Sequence, residues 1–372
     1  MNTSEKKVLW NSNISRRTFI KAGIAGAATV GVISAAGYQG YEFFKTVDVK
    51  GRILIIGGGA AGCSMAARLS RRIEHPDITI VDPSDRQFYQ PGFTFIAAGI
   101  FKPDEVWRPQ KDYIPQGVKW VKDVVVALDP VKQVARTSQG ETLQYDFLVL
   151  CPGIQLNWDK VEGISQKTLG QGNAHCIYDF EGAQKFWPAM QELTTKGGRG
   201  VFTDTYTKHK CGGAPKKVCM LTEHMARKKG TRDSLRLDYF CSEKALYDVP
   251  YYTPRLLQIY DERNINLSLN CRVTGIDTQA KRVYMERHTT EKQQVWDEAT
   301  GGMIEQETKT VTPFVEDYDF LSFVPPQSAP DFVKESGLSW TEGKLAKDGW
   351  VMVDKETLVH LLYPNIISPG DC

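Results

Sequence analysis

The sequence predicts an α/β fold with a dinucleotide-binding unit at its front and a second, similarly built half behind it. Three observations predict this. Residues 52–82 run in the order apolar strand, glycine turn, helical pattern, apolar strand and terminal acid. Residues 200–204 begin a second buried strand, and 216–227 follow with helical spacing. Tyr145-Asp146-Phe147-Leu148 is echoed by Tyr318-Asp319-Phe320-Leu321, each leading into an apolar stretch and a proline. A chain of 372 residues has room for two or three such domains. A formal charge of +2 with 24% charged residues describes an ordinary soluble globule and makes no case for nucleic acid. Eight cysteines are too sparse for a disulfide scaffold, so any special cysteine must be argued from its surroundings. No metal is expected.

Residues 1–50 read as an address. Ser15-Arg16-Arg17-Thr18-Phe19-Ile20-Lys21 matches the twin-arginine export signal. The apolar run 22–37 that follows is rich in Gly and Ala and shorter than a membrane span. The twin-arginine route carries proteins already folded, which suits one that must first acquire a cofactor. With no clean A-x-A cleavage site, the segment is a candidate anchor at the periplasmic face of the cytoplasmic membrane.

Arg52–Ile56 is a short β-branched and aliphatic run, read as a buried strand. Gly57 makes the tight turn, Gly59 lets backbone approach a pyrophosphate, and Gly62 lets helix pack on strand. Ala60 and Ala61 complete the turn, and residues 63–72 then keep a helical pattern, the unpaired N–H groups and dipole of the helix N-terminus facing the phosphates. The strand 78–81 ends in Asp82, twenty positions after Gly62 and placed to accept hydrogen bonds from an adenosine ribose, with Pro83 beside it. A lone G-x-G-x-x-G is weak evidence and is often an ordinary turn. Strand, turn, helix, strand and acid in register are the full context the motif requires.

Further along, 118–128 is strand-like, with Val124 a backbone contact for adenine. Residues 134–137 and 145–150 suggest a small hairpin returning to the main sheet, broken by Pro152-Gly153, and 180–193 is helical by spacing. Four stretches here carry a specific resemblance. Pro83-Ser84-Asp85-Arg86-Gln87-Phe88-Tyr89-Gln90-Pro91 is similar to the segment beside the flavin in sulfide:quinone oxidoreductases, flavoproteins of the FAD-dependent disulfide-reductase superfamily. Tyr145-Asp146-Phe147-Leu148-Val149-Leu150-Cys151-Pro152-Gly153 continues the resemblance. So do Lys210-Cys211-Gly212-Gly213-Ala214-Pro215-Lys216-Lys217 and the closing Tyr363-Pro364-Asn365 with Gly370-Asp371.

The resemblance covers residues 51–372 and implies two tandem Rossmann-like domains that hold FAD between them. It places Gln90, Pro91, Pro152 and Gly153 near the flavin, and Gly370-Asp371 at the ribityl chain. The FAD-binding domain would span 51–160 and 318–372. The second domain would span 161–317, with a polar hairpin insertion over 282–313. FAD is expected to be noncovalent, because Tyr89-Gln90-Pro91 stands where flavocytochrome c sulfide dehydrogenases carry the cysteine that bonds the flavin.

The second strand matters for what it lacks. NAD(P)H-dependent relatives open the following helix with another glycine motif; here the sequence is Thr203-Asp204-Thr205-Tyr206-Thr207-Lys208-His209-Lys210-Cys211. Electrons are therefore expected from a substrate that acts on the flavin or on a cysteine. Cys211 is the candidate. It precedes a helix N-terminus marked by Pro215 and lies among Lys208, His209, Lys210, Lys216 and Lys217, where dipole and charge favour the nucleophilic thiolate. A free cysteine is more commonly a small buried hydrophobe, but this basic, glycine-flanked loop argues against burial. Cys63, Cys151 and Cys219 read as packing, and Cys241 and Cys271 as strand residues. Cys176 sits in a polar loop beside His175; some family members have an assisting cysteine near there. His175 reads as a loop residue rather than a base.

By resemblance, sulfide attacks a sulfur bridge between Cys211 and a partner cysteine, electrons pass through the Cys211 thiolate to FAD, and membrane quinone takes them from the flavin's far face. Lys217 would stabilise negative charge on the reduced flavin. Family members continue beyond Gly370-Asp371 with a helix, a second redox cysteine and amphipathic membrane helices. The chain is accordingly expected to be truncated at its C-terminus, with Cys372 a weak substitute for the partner cysteine. The expected partners are sulfide, a membrane quinone, the membrane surface and a possible second copy. Three alternatives stand beside this reading: the flavin subunit of a flavocytochrome c sulfide dehydrogenase, a type II NADH:quinone oxidoreductase, and an inactive FAD-binding protein.

Overall fold

The computed structural model describes residues 46–372, so Arg16, Arg17 and the apolar run after them lie outside the described residues. Two parallel sheets carry the architecture. The first has strand order Ile366–Ile367, Phe147–Leu150, Arg52–Ile56, Asp77–Val81, Lys119–Val121. The second has Ala174–His175, Phe320–Ser322, Gly198–Thr203, Leu235–Phe240, Ile265–Ser268. Strands covered on both faces read as unbroken apolar runs, and residues 53–56 are all buried.

Both sheets reverse their order at a central strand. From Arg52–Ile56 the chain steps to Asp77–Val81 on one side, while Phe147–Leu150 fills the other. From Gly198–Thr203 it steps to Leu235–Phe240, while Phe320–Ser322 fills the opposite flank. Ligands of open α/β sheets bind in the crevice at the carboxyl end of such a strand. The glycine turn occupies one of these crevices and the loop 204–213 occupies the other.

The repeated Tyr-Asp-Phe-Leu marks equivalent places in the two halves. Asp146 accepts from the Arg52 amide at 2.6 Å and from its guanidinium at 3.0 Å, and Asp319 accepts from the Arg199 amide at 2.7 Å. Each motif thus ties down the start of its own central strand. This corrects the boundary at 318, because Phe320–Ser322 belongs to the second sheet. The chain crosses later, where Gln327–Ser328 pairs antiparallel with Gln155–Leu156. Ala329, Val333, Leu338 and Val351 then join the core of the first domain.

Several elements differ from the sequence reading. The segment 118–128 splits into Lys119–Val121 and Val125–Asp129, because Asp123 is buried between them. Its carboxylate accepts from Ser138 Oγ and the amides of Val124 and Gln139. The expected hairpin is a three-stranded meander of Val125–Asp129, Val134–Thr137 and Thr142–Gln144, which leaves Phe147–Leu150 to the main sheet. The Phe180–Lys196 helix runs longer than its apolar spacing, capped by the Asp179 side chain on the Gly182 amide at 2.8 Å and closed at Gly197. The polar insertion is a long ribbon of Arg282–Asp297 and Gly302–Asp317. Among the described residues, no helix is long and apolar enough to cross a membrane.

Candidate active site

The glycine turn is fixed by close contacts. A Cβ on Gly57, whose φ is +100°, would lie 2.1 Å from the Cys151 carbonyl oxygen, and one on Gly62 would lie 1.8 Å from that of Gly57. Gly59 instead faces open space. It precedes the Ala60–Arg72 helix with no side-chain cap, so first-turn N–H groups are left for an anion.

Asp82 does more than the sequence indicated. Its Oδ2 accepts from the Gly58 amide at 2.6 Å and its Oδ1 from the Ser84 amide at 2.8 Å, which clamps the turn. Each oxygen keeps a further lone pair for a ribose hydroxyl. Buried Gln110, unmarked in the sequence, supports the turn from below by donating to the Gly58 carbonyl at 2.6 Å. Pro83 is exposed at the rim beside Asp82.

The Val124 peptide does not offer free backbone groups. Its N–H donates to Asp123 at 2.7 Å and its carbonyl accepts from Ser138 at 2.8 Å. The expected backbone contact with adenine therefore finds both groups already engaged within the chain, while the Val124 side chain is exposed. Pro152 and Gly153 follow Phe147–Leu150, with Gly153 at φ +77° and open space where a Cβ would sit. Gly370 packs so closely on the first helix that its Cβ would meet that of Ala61 at 3.1 Å. An uncapped helix start, a carboxylate at the ribose position and glycines facing empty space together fit FAD.

In the second crevice the loop 204–213 is pinned at both ends. Buried Asp204 accepts from Lys216 Nζ at 2.9 Å and from the Ser242 amide at 2.7 Å. Burial opposes its charge, but Lys216 and the Ser242 amide win and hold its carboxyl below the usual range. The Lys210 amide donates to Gln327 Oε1 at 3.1 Å, tying the loop to the crossover strand. Lys210 Nζ reaches across to Gln90 Oε1. Burial lowers the pKa of Lys210, partly offset by Asp371.

Cys211 is the one exposed cysteine among the described residues. Its φ is +50°, a left-handed conformation costing on the order of 1 kcal/mol for a residue with a side chain. Two donors hold it there: the Ala214 amide at 2.8 Å and the Tyr178 hydroxyl at 3.1 Å, both on the Cys211 carbonyl oxygen. Lys217 Nζ, one turn into the Ala214–Lys229 helix, lies 3.7 Å from Cys211 Sγ. A cavity of about 430 Å³ brings Cys211 and Lys217 together with Gln90, Pro91, Tyr178 and Asp371, from three separate stretches of the sequence reading. Tyr178, like Gln110, carries no signal in the sequence.

Cys176 is corrected. It is fully buried in the core of the second domain rather than set in a polar loop, and burial pushes its thiol up to about 12. The residues before it form the edge strand Ala174–His175, whose pairing with Phe320–Ser322 draws the segment inward. Its sulfur accepts from the Tyr178 amide at 3.4 Å, so it contacts the residue that holds Cys211. His175 is buried too, stacked on Phe320, and burial brings its pKa down to about 4. Cys372 donates to the Leu150 carbonyl at 3.4 Å and lines a different cavity, beside Trp340 and Trp350.

The family model for pyridine nucleotide-disulphide oxidoreductases matches residues 51–185. The mitochondrial sulfide:quinone oxidoreductase of Dictyostelium discoideum is 32% identical over 342 residues, spanning 92% of this chain and 69% of the relative. That of Mus musculus is 34% identical over 321 residues, spanning 86% of this chain and 65% of the relative. The solved sulfide:quinone oxidoreductase of Aquifex aeolicus shares the fold with a TM-score of 0.66 at 21% identity, over 86% of this chain and 68% of that one. The chain belongs to the sulfide:quinone oxidoreductase family and is an FAD-dependent oxidoreductase.

Proposed function

We propose that this protein oxidises sulfide to sulfane sulfur through Cys211 and passes the electrons by way of noncovalent FAD to a membrane quinone. The observation that carries the reading is the placement of Cys211. It is exposed, held in a left-handed turn, and shares one cavity with Lys217, the Gln90-Pro91 segment and Asp371. FAD, when bound, supplies a two-electron acceptor; Asp82, the glycine turn and the Gly370-Asp371 segment are the residues to hold it.

The chain's own groups then have defined tasks. The turn at Cys211 presents its sulfur to the cavity, where sulfide can reach a sulfur bridge formed with a partner thiol. Attack by hydrosulfide makes one S–S bond and breaks another, and the departing electron pair rests on the Cys211 sulfur. Lys217, 3.7 Å away, stabilises that negative charge, and the start of the following helix adds its dipole. Gln90 and Lys210 link the first-domain segment to the Cys211 loop and keep the cavity's two walls in register.

On the same reading the Arg16-Arg17 signal exports the folded protein, which works at the periplasmic face of the membrane. The test is electron donor and acceptor preference. Purified holoprotein should reduce a short-chain ubiquinone analogue with sulfide, leave cytochrome c oxidised, and keep its flavin colour when mixed with NADH. Acid precipitation should release the flavin. Bleaching by NADH, or flavin retained on the precipitated polypeptide, would point to the alternatives named above.

A further inference from the structure

The ribbon of Arg282–Asp297 and Gly302–Asp317 is longer than the fold of either domain requires. Its root pairs with Cys271–Asp277, but pairing on that side ends at Cys271↔Arg287. From there to the turn, among the described residues, the two strands pair only with each other, and residues 303–313 are all exposed. A two-stranded ribbon standing alone in water is marginal at best. Among the described residues, the outer edge of Gly302–Asp317 is unpaired along its whole length.

Which backbone groups face that edge follows from alternation along an antiparallel ladder. The His288 amide donates to Asn270, away from the partner strand. Odd-numbered residues of the first strand therefore face the second, and the register Thr289↔Thr310 turns even-numbered residues of the second strand inward. Glu305, Glu307, Lys309 and Val311 are left pointing their N–H and C=O groups outward. Pro313, which has no N–H, falls on the same outward set and ends it.

We propose that this edge pairs with the same edge of a second copy, antiparallel about a two-fold axis at Thr308. Glu307 then stands opposite Lys309 of the second copy, and Lys309 opposite its Glu307. Glu305 and Val311 pair outside them, giving about eight ladder hydrogen bonds. Charge selects this register. Centring on Glu307 would set glutamate against glutamate, and centring on Lys309 would set lysine against lysine, both destabilising when directly opposed. Lys309 has no ion-pair partner within the chain among the described residues, whereas Lys292 on the neighbouring strand already contacts Glu305 and Glu307 at 2.6 and 3.5 Å.

An edge lysine can also serve simply to blunt pairing, and the experiment separates the two roles. Light scattering of the full-length holoprotein over a concentration series should show a monomer–dimer equilibrium. Lys309→Glu should weaken the dimer at least about tenfold, and Glu307→Lys combined with Lys309→Glu should restore it with the charges exchanged. Amide exchange at 305, 307, 309 and 311 should slow as protein concentration rises, with even-numbered neighbours unchanged. A monomer at every concentration, a Lys309→Glu protein that dimerises as well as the parent, or edge protection that requires an added membrane or another protein would overturn the proposal.

Discussion

Cys211 and Cys219 lie eight residues apart and should respond to serine in opposite ways. Cys219 is fully buried in the second-domain core, on the face of the Ala214–Lys229 helix that packs against the sheet. A serine hydroxyl there must find a partner or stay unsatisfied, which costs about 1–3 kcal/mol. Cys211 is exposed, so Cys211→Ser should change stability by less than about 0.5 kcal/mol. Cys211→Gly should be about 1 kcal/mol more stable than Cys211→Ser, since glycine accepts φ +50° without strain. Activity should show the reverse order. Both Cys211 variants should bind FAD yet fail to bleach with sulfide, because neither can form or release an S–S bond. Cys219→Ser should bleach at close to the parent rate. Thermal unfolding and stopped-flow absorbance at the flavin band, on the purified holoprotein, give the two axes. Bleaching of Cys211→Ser at the parent rate would refute the assignment. A stable Cys219→Ser protein would refute the packing account.

Three further outcomes are expected. Tyr178→Phe keeps the ring but removes one of the two donors on the Cys211 carbonyl, a loss of about 1 kcal/mol. Sulfide-driven bleaching should slow roughly fivefold with FAD affinity unchanged, and an unchanged rate would show that the Ala214 amide suffices alone. His175 is held neutral, with its pKa down to about 4 from 6.5, so the folded state binds fewer protons than the unfolded state between those values. Its contribution is complete above pH 6.5 and is lost as pH falls toward 4, amounting to about 3 kcal/mol at the acid end. His175→Phe should flatten that part of the stability profile measured by denaturant titration. Replacing Arg16 and Arg17 with lysine keeps the charge but should leave the protein in the cytoplasm, and periplasmic accumulation on fractionation would remove the export signal from consideration.

The first half of the fold was legible because its signals are local. Arg52–Ile56 is predicted residue for residue, and Gly57 must be glycine because a Cβ there would lie 2.1 Å from the Cys151 carbonyl oxygen. The exposure of Cys211 was legible for a similar reason: its basic, glycine-flanked setting is written in adjacent residues. What the sequence concealed depends on distant partners. Cys176 lies in a stretch that is polar to the eye but is drawn into the core by pairing with a strand about 145 residues later. Gln110 and Tyr178 carry no motif, and their hydrogen bonds span 52 and 33 residues. The echo at 318 was real, yet it reported an equivalent position in a second sheet rather than a return to the first.

That equivalence has a consequence for what the protein can sense. In the first half, the helix after the central strand starts open, as a seat for phosphate. In the second half the matching helix starts under Cys211, whose carbonyl already occupies the Ala214 amide. A nicotinamide nucleotide seated at that helix start would have to compete with the Cys211 carbonyl for the Ala214 amide. On the proposed function, that competition would insulate the enzyme from the cell's nicotinamide pool. Its turnover would then follow the supply of sulfide and of oxidised acceptor, whether the cell is rich or poor in NADH.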